Sequence, residues 1–419
     1  MKRVFTHYLL TFSIFIVQFY TAQSQSWQTV LSVSKPIQEI AIDDSGYVFV
    51  GTGGDGIYKS TDNGTTWTAI NNGITNNTLA RSMQCIFRTQ NGSLLAGTGV
   101  DFYRSSDGGN NWSMVTGGLP TNTVGSLTQN INGYIFAGTA GVGVYRSEND
   151  GLNWQPYNIG ISNQEITSLV TNSAGYVFAA TLSGSVFYST DNGNNWLSPT
   201  TFPGSTIFTH SLAVDPDDRI FLGTTYFTYP GGVYGSTDSG STWTNLGLFN
   251  VNHIFSVATN QDGHIFAGSN DSGVYISTDH GLSWNKLNPF TLFVTSLAVA
   301  PTNYLFVGSS GGDVVRTDLS ITSTDEELQS TPTNVYLGQN YPNPYNPITS
   351  IHYYLSKRAV VKLEVYNLFG QKIATLVEEE KGPGEYAIEF NGSFFSSGVY
   401  FYRMQAGSFV ETKKMLMIK

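Results

Sequence analysis

The sequence predicts an all-β chain: a seven-bladed β-propeller whose N-terminal strand closes the last blade, followed by a small Ig-like β-sandwich. Three observations carry this expectation. One octapeptide recurs six times, at Ser60–Trp67, Ser105–Trp112, Ser147–Trp154, Ser189–Trp196, Ser236–Trp243 and Ser277–Trp284. Its third position is Asp62, Asp107, Asn149, Asp191, Asp238 and Asp279, at steps of 45, 42, 42, 47 and 41 residues, and an eroded copy, Arg316-Thr317-Asp318, follows after 39. Each copy sits in the same run of four short strands, reading QEIAID, YVFVGT, GIYKS and TWTAI in the first; four antiparallel strands at that period make a propeller blade. The composition agrees, with 45 Gly, 14% aromatic and only 12% charged residues. Gly supplies tight turns, and aromatics fill a pleated surface.

Met1-Lys2-Arg3 followed by the apolar run Tyr8–Tyr20 and the small–x–small site Ala22-Gln23-Ser24 reads as a signal peptide over 1–24. No other segment reaches the roughly 18 apolar residues of a spanning helix, so the mature chain is expected not to cross a membrane. Ser26-Trp27-Gln28-Thr29-Val30 matches TWTAI yet precedes the first repeat. Seven copies of the first three strands run from Ile37 to Val315, but only six tryptophan strands follow them. The missing strand is therefore the N-terminal one, and pairing it with the last blade removes an open sheet edge. Turns such as Asp44-Ser45-Gly46, Asn132-Gly133 and Asp262-Gly263 join the first two strands of their blades.

The propeller is expected over 25–319, and the polar, aromatic-free stretch 320–334 reads as a linker. From 335 to 419 the pattern changes to regularly spaced strands (IHYYL, VKLEVYNLFG, YAIEF, GVYFYRM, KKMLMIK) with Gly turns. Residues 25–318 hold nine Lys/Arg against 20 Asp/Glu, whereas the last segment holds nine against seven, so the acidity belongs to the propeller. That sign disfavours a nucleic-acid partner, and none is expected. The lone Cys85 cannot form an internal disulfide and lies in an apolar alternation, as a buried structural thiol would.

The octapeptide resembles the Asp box (S-x-D-x-G-x-T-W) of bacterial-neuraminidase-type repeats, found in sialidases, sortilin-type receptors and xyloglucan-cleaving hydrolases. The resemblance covers about residues 26–318. In this reading the box is a structural hairpin: Asp62, Asp107, Asn149, Asp191, Asp238 and Asp279 accept backbone N–H bonds, Gly takes the strained dihedral and Trp packs beneath. The last segment resembles the C-terminal sorting domain of the type IX secretion system. The motifs that carry the likeness are Gln339-Asn340-Tyr341-Pro342-Asn343-Pro344, Val365–Gln371 with Gly370, Ser397-Gly398-Val399-Tyr400 and Lys413-Lys414-Met415. The likeness implies a partner, the type IX secretion machinery, and a secreted or outer-membrane surface location reached through the periplasm.

A sialidase would need three convergent arginines. Of six Arg in the propeller, Arg104, Arg146 and Arg316, like Lys59, sit beside the octapeptide at its outer hairpin. Only Arg81, Arg88 and Arg219 remain, and Glu is scarce, at Glu39, Glu148 and Glu165. A glycosidase would need two neighbouring carboxylates. The loops between second and third strands supply Asp55, Asp101, Asp271 and Asp313, and the longest such loop adds Tyr226, Phe227 and Tyr229 as platforms for sugar rings. These seven are the candidate ligand residues. His210 and His253 open neighbouring inner strands without a third metal ligand, so no metal and no cofactor are expected. The expectation is a monomeric, non-catalytic propeller that binds an extracellular glycan or protein. The alternative is a xyloglucanase-like hydrolase or lyase using the loop carboxylates.

Overall fold

The computed structural model describes residues 27–120, 123–200, 208–225, 232–248, 251, 253–287, 293–317, 321, 335–337, 340, 345–355, 357–382, 384–407 and 409–418. The leader at 1–24, nearly all of the linker, Tyr226, Phe227, Tyr229, Pro342, Asn343 and Pro344 lie outside the described residues. The chain divides into two compact units, 1–328 and 329–419. The described residues form strands and turns and no helix.

The first unit is a β-propeller. Its described residues form seven small antiparallel sheets, consistent with the seven copies of the strand pattern. The first sheet is Ile37–Ile42, Val48–Thr52, Ile57–Ser60 and Thr68–Ala69, in chain order from the axis outward. Later blades repeat this order; in the fourth, the outermost strand shrinks to a bridge between Tyr188 and Leu197. The last blade holds Val294–Val299, Leu305–Ser309 and Asp313–Thr317, and its fourth strand is Trp27–Ser32, with Trp27 opposite Thr317 and Ser32 opposite Asp313. The inner strands touch in sequence, Ile37–Ile42 to Met83–Arg88, Val124–Gln129, Ile166–Thr171, Phe208–Val214, Ile254–Thr259 and Val294–Val299, which returns to Ile37–Ile42 and closes the ring.

Blade stacking explains the second strands. Each is buried along its whole length, because both faces meet neighbouring blades. The apolar clusters accordingly straddle blade boundaries, as where Phe49 and Ile57 of the first blade pack with Met83, Ile86 and Tyr103 of the second. Close approach also requires small residues. A Cβ at Gly97 would lie 2.2 Å from the Val124 carbonyl of the next blade, and one at Gly268 would lie 2.4 Å from Val294.

The second unit pairs a sheet of Tyr336–Leu337, Ile348–Leu355 and Gly384–Asn391 with a four-stranded sheet ordered Lys372–Lys381, Ala359–Asn367, Gly398–Ala406, Phe409–Met417. Both sheets contribute to one core that includes Ile351, Leu363, Tyr402 and Met415.

Candidate functional site

Every inner strand has a register shift at its second or third residue: between Ile37/Glu39, Met83/Cys85, Val124/Ser126, Ile166/Ser168, Thr209/Ser211, Ile254/Ser256 and Val294/Ser296. Each such β-bulge inserts one extra residue and re-aims its side chain. The inserted residues are Gln38, Gln84, Gly125, Thr167, His210, Phe255 and Thr295, and all seven line one cavity of about 630 Å³ in the central channel.

The residue after each bulge forms a second ring. In five blades it is serine, and each hydroxyl accepts a backbone N–H of the next blade: Leu169 N–H to Ser126 at 2.8 Å, Leu212 N–H to Ser168 at 3.0 Å and Val257 N–H to Ser211 at 3.2 Å. Leu297 N–H to Ser256 and Ile40 N–H to Ser296, both at 3.0 Å, continue the belt. The first two blades break it with Glu39 and Cys85. The Cys85 thiol donates to the Val124 carbonyl at 3.3 Å, and burial pushes its pKa up. It is a buried, unreactive thiol of the kind the apolar alternation suggests. No described residue hydrogen-bonds the Glu39 carboxyl, which burial in the channel pushes up to about 8.

Around Glu39 the wall is polar and uncharged. Ser82 Oγ donates to Gln38 Oε1 at 3.1 Å, and Gln84 Nε2 lies 3.3 Å from both oxygens. On other blades the wall is aromatic. His210 packs against Phe255 with centroids 4.5 Å apart and the rings tilted by 35°, and Phe255 meets Phe293 at 5.2 Å. Burial and the nearby His253 push His210 down to about 4, keeping it neutral. His253 lies just ahead of its inner strand, 6.1 Å from Phe255 between ring centroids. Among the described residues no three His, Cys, Asp or Glu side chains gather as a metal site would need.

The candidate loop acids lie elsewhere. None of Asp55, Asp101, Asp271 and Asp313 lines the cavity, and none hydrogen-bonds another. Ser34 Oγ donates to Asp55 at 3.0 Å and Ser32 Oγ to Asp313 at 2.6 Å, so these two carboxylates receive the end of the ring-closing N-terminal strand. Tyr103 OH donates to Asp101 at 3.2 Å, and Ser272 Oγ to the exposed Asp271 at 2.8 Å.

Each octapeptide closes on itself. Asp62 Oδ1 accepts Ser60 Oγ at 2.8 Å and Thr66 N–H at 2.8 Å, and Oδ2 accepts Thr66 Oγ1 at 2.6 Å. The Thr66 hydrogen bonds hold Asp62 down to about 2, and Asn111 does the same for Asp107. Asp191, Asp238 and Asp279 repeat these contacts. Asn149 keeps the backbone bond, from Asn153 N–H at 2.9 Å, through its one carbonyl oxygen.

The basic residues beside the octapeptides reach beyond their own hairpin to the next blade's. Lys59 Nζ donates to Gly108 O at 3.1 Å, Arg104 Nε to Asp150 O at 2.8 Å, Arg146 Nη1 to Asn192 O at 2.6 Å and Arg316 to Asn63 O. All four acceptors are the fourth octapeptide residue, held at positive φ.

In the second unit Asn340 is buried, its N–H donating to Tyr402 OH at 2.7 Å and its amide to Thr349 at 2.9 Å. Gly370 closes a turn at φ +75°, Gly398 begins a strand, and Lys413 and Lys414 lie on the last strand. Glu39, Gln38, Gln84 and Phe255 are the site residues that sequence reasoning passed over. Aligning the seven inner strands marks them, because serine recurs at one column and varied residues fill the column before it.

Residues 92–288 match the DUF6242 beta propeller domain, and residues 339–419 match the secretion system C-terminal sorting domain. No curated protein matches the chain. Among solved structures, it is similar to the extracellular domain of BT4673, described as a two component system, from B. thetaiotaomicron, at 15% identity and a TM-score of 0.58 over 79% of this chain and 45% of that one. It is also similar to the GH74 xyloglucanase of Xanthomonas campestris, at 16% identity and 0.59 over 71% and 54%. A third similar structure is virginiamycin B lyase from Staphylococcus aureus, at 11% and 0.59 over 71% and 99%. The chain thus spans about half the length of the first two, and at these identities the likeness is one of fold. It carries a β-propeller and a secretion-system sorting domain, the arrangement of a secreted or surface protein.

Proposed function

We propose that this chain is a secreted or surface-displayed propeller that binds an extracellular glycan or protein and carries no chemistry of its own. In this reading, residues 1–24 direct export to the periplasm and are removed. Residues 335–419 then engage the type IX secretion machinery. The observation that carries the non-catalytic reading is the dispersal of the loop acids: Asp55, Asp101, Asp271 and Asp313 sit on four blades, each engaged by a hydroxyl. Glycoside hydrolysis needs two carboxyl groups about 5–10 Å apart flanking one bond.

One observation favours a second reading, a polysaccharide hydrolase or lyase. A carboxyl held protonated in a cavity, as Glu39 is, has the pKa of a general acid. The cavity's other carboxyl, Glu165, is exposed ahead of the fourth inner strand, three blades from Glu39.

The test is to incubate the full mature chain with insoluble and soluble polysaccharides and measure both its depletion from solution and new reducing ends. Retention on at least one polysaccharide or surface protein without cleavage is expected. Reducing ends that vanish with Asp→Asn at a loop acid or with Glu39→Gln would establish the second reading. Removal of 335–419 should leave the protein in the periplasm, and unchanged secretion would refute the sorting role.

A further inference from the structure

We propose that the central cavity is a saccharide site, in which a neutral sugar ring lays its apolar face on Phe255 and turns its hydroxyls toward Glu39, Gln38 and Gln84. The proposal rests on the binding reading above and gives it a place and a ligand class.

The ring supplies the geometry. In a closed ring of seven, the first and second blades lie across the channel from the fifth and its neighbours. The amide and carboxyl groups of Gln38, Glu39 and Gln84 therefore face the His210 and Phe255 rings, tilted against each other, over a common lumen. Its volume of about 630 Å³ falls in the range of roughly 300–1,000 Å³ typical of small-molecule sites. An apolar ring opposite convergent donors and acceptors matches a pyranose, which has an apolar face and a hydroxyl rim.

Charge narrows the class. Among the described residues no Lys or Arg lines the cavity, so a carboxylate, sulfate or phosphate would find no counter-ion among them. The titratable lining groups among the described residues are Glu39, Cys85, Glu165 and His210. Burial holds Cys85 as the thiol, and His210 is neutral above about pH 4. Protonated Glu39 can both donate and accept a hydrogen bond, as a sugar hydroxyl does.

The departure from the repeat points the same way. Five blades turn serine into the next blade at this column; Glu39 instead leaves a carboxyl open to the lumen without a described partner. A local rule broken at a half-buried carboxyl in a cavity marks a site under a different demand.

The experiment is calorimetric titration of the full mature chain with neutral oligosaccharides (cello-, xyloglucan and manno-oligosaccharides) and with acidic oligogalacturonides. One neutral series should bind. Phe255→Ala should weaken it by roughly tenfold or more. Phe255→Leu, with melting curves for both, separates lost contact from lost fold. Raising the pH from 7 to about 9.5 should weaken the wild type as Glu39 ionises, while Glu39→Gln keeps its affinity at both pH values. Neutral saccharide binding that ignores Phe255 and pH, and falls with Tyr226→Ala and Tyr229→Ala, would overturn the cavity site and leave the binding reading standing. Preference for the acidic series would also overturn it. If neither saccharides nor surface proteins are retained, the binding reading itself falls.

Discussion

The seams between blades are held in two different ways, and the contrast between two arcs of the ring shows what each device permits. From the fourth blade round to the seventh, three consecutive seams use the channel-side serine: Ser168 to Leu212, Ser211 to Val257 and Ser256 to Leu297. No basic side chain precedes those octapeptides, where Tyr188, Gly235 and Ile276 stand instead. At the seams from the first blade to the second and from the second to the third the serine is absent, and Lys59 and Arg104 reach the next hairpin from outside. Among the described residues, only the seams into the first and fourth blades have both devices, Ser296 with Arg316 and Ser126 with Arg146. Where the channel wall is given over to Glu39 and Cys85, cohesion moves to the rim.

The sharpest way to break the contrast is Arg104→Ala. Arg104 is part-buried against Asp150 at 2.6 Å and also donates to Ser93 at 2.7 Å. Although burial raises the Asp150 carboxyl, the Ser93, Thr89 and Arg104 hydrogen bonds bring it below its ordinary value. Removing the guanidinium leaves that carboxylate without its charged partner and should cost about 2–3 kcal/mol in denaturant unfolding. Arg316→Ala, at a seam that also has Ser296, should cost about half as much; equal losses would show that the two devices do not share load.

Next in size is Ser211→Ala, which leaves the Val257 N–H without its acceptor at a seam lacking the outer cation. A loss of about 1–2 kcal/mol is expected, against less than about 1 kcal/mol for Ser126→Ala where Arg146 remains. Additivity of Ser126→Ala and Arg146→Ala in a double-mutant cycle would count against sharing.

The third test uses pH. Glu39 has a folded pKa of about 8, raised above the 4.5 of an ordinary glutamate, so the folded state holds the extra proton between those values. Its contribution is therefore greatest below pH 4.5 and is lost as pH rises through 8, at up to about 1 kcal/mol per pH unit. Glu39→Gln should flatten that alkaline decline in thermal melts from pH 6 to 9. Asp62 and Asp107 have the opposite sign: held down to about 2, they support the fold above pH 3.8 and fail as pH falls toward 2. A decline on the alkaline side unchanged by Glu39→Gln would place the titrating group elsewhere.

The smallest expected effect is a gain. Cys85→Ser restores the hydroxyl that the pattern places opposite the Leu127 N–H, and about 0.5 kcal/mol of added stability is expected. A net loss would mean that the thiol's packing against the Gly97 strand outweighs the restored latch.

Much of the propeller was legible because its signals are local. Strands alternate with a period of two, turn residues sit at fixed offsets, and the Ser-x-Asp-x-Gly pattern satisfies its own hydrogen bonds within one hairpin, as Asp62 and Thr66 do. The count of tryptophan strands even pointed to the N-terminal strand as the closing one, which pairs as Trp27 against Thr317. The site was less legible. Asp55 and Asp313 looked like sugar-binding acids in sequence, yet they hold the hydroxyls of Ser34 and Ser32 at the ring closure. Arg104 and Arg146 were placed beside the correct hairpins, but their partners are in the following repeat, some 46 residues on.

What the chain's own order of residues determined is therefore the repeat, its turns, the all-β fold and the change of pattern near residue 335, because each depends on neighbours within a hairpin. Tertiary structure decided which departures from the repeat matter. The bulge in each inner strand brings one extra residue to the lumen, and ring closure brings Gln38, Glu39 and Gln84 to face Phe255 across it. No local rule encodes that meeting, since it exists only when seven blades share one axis.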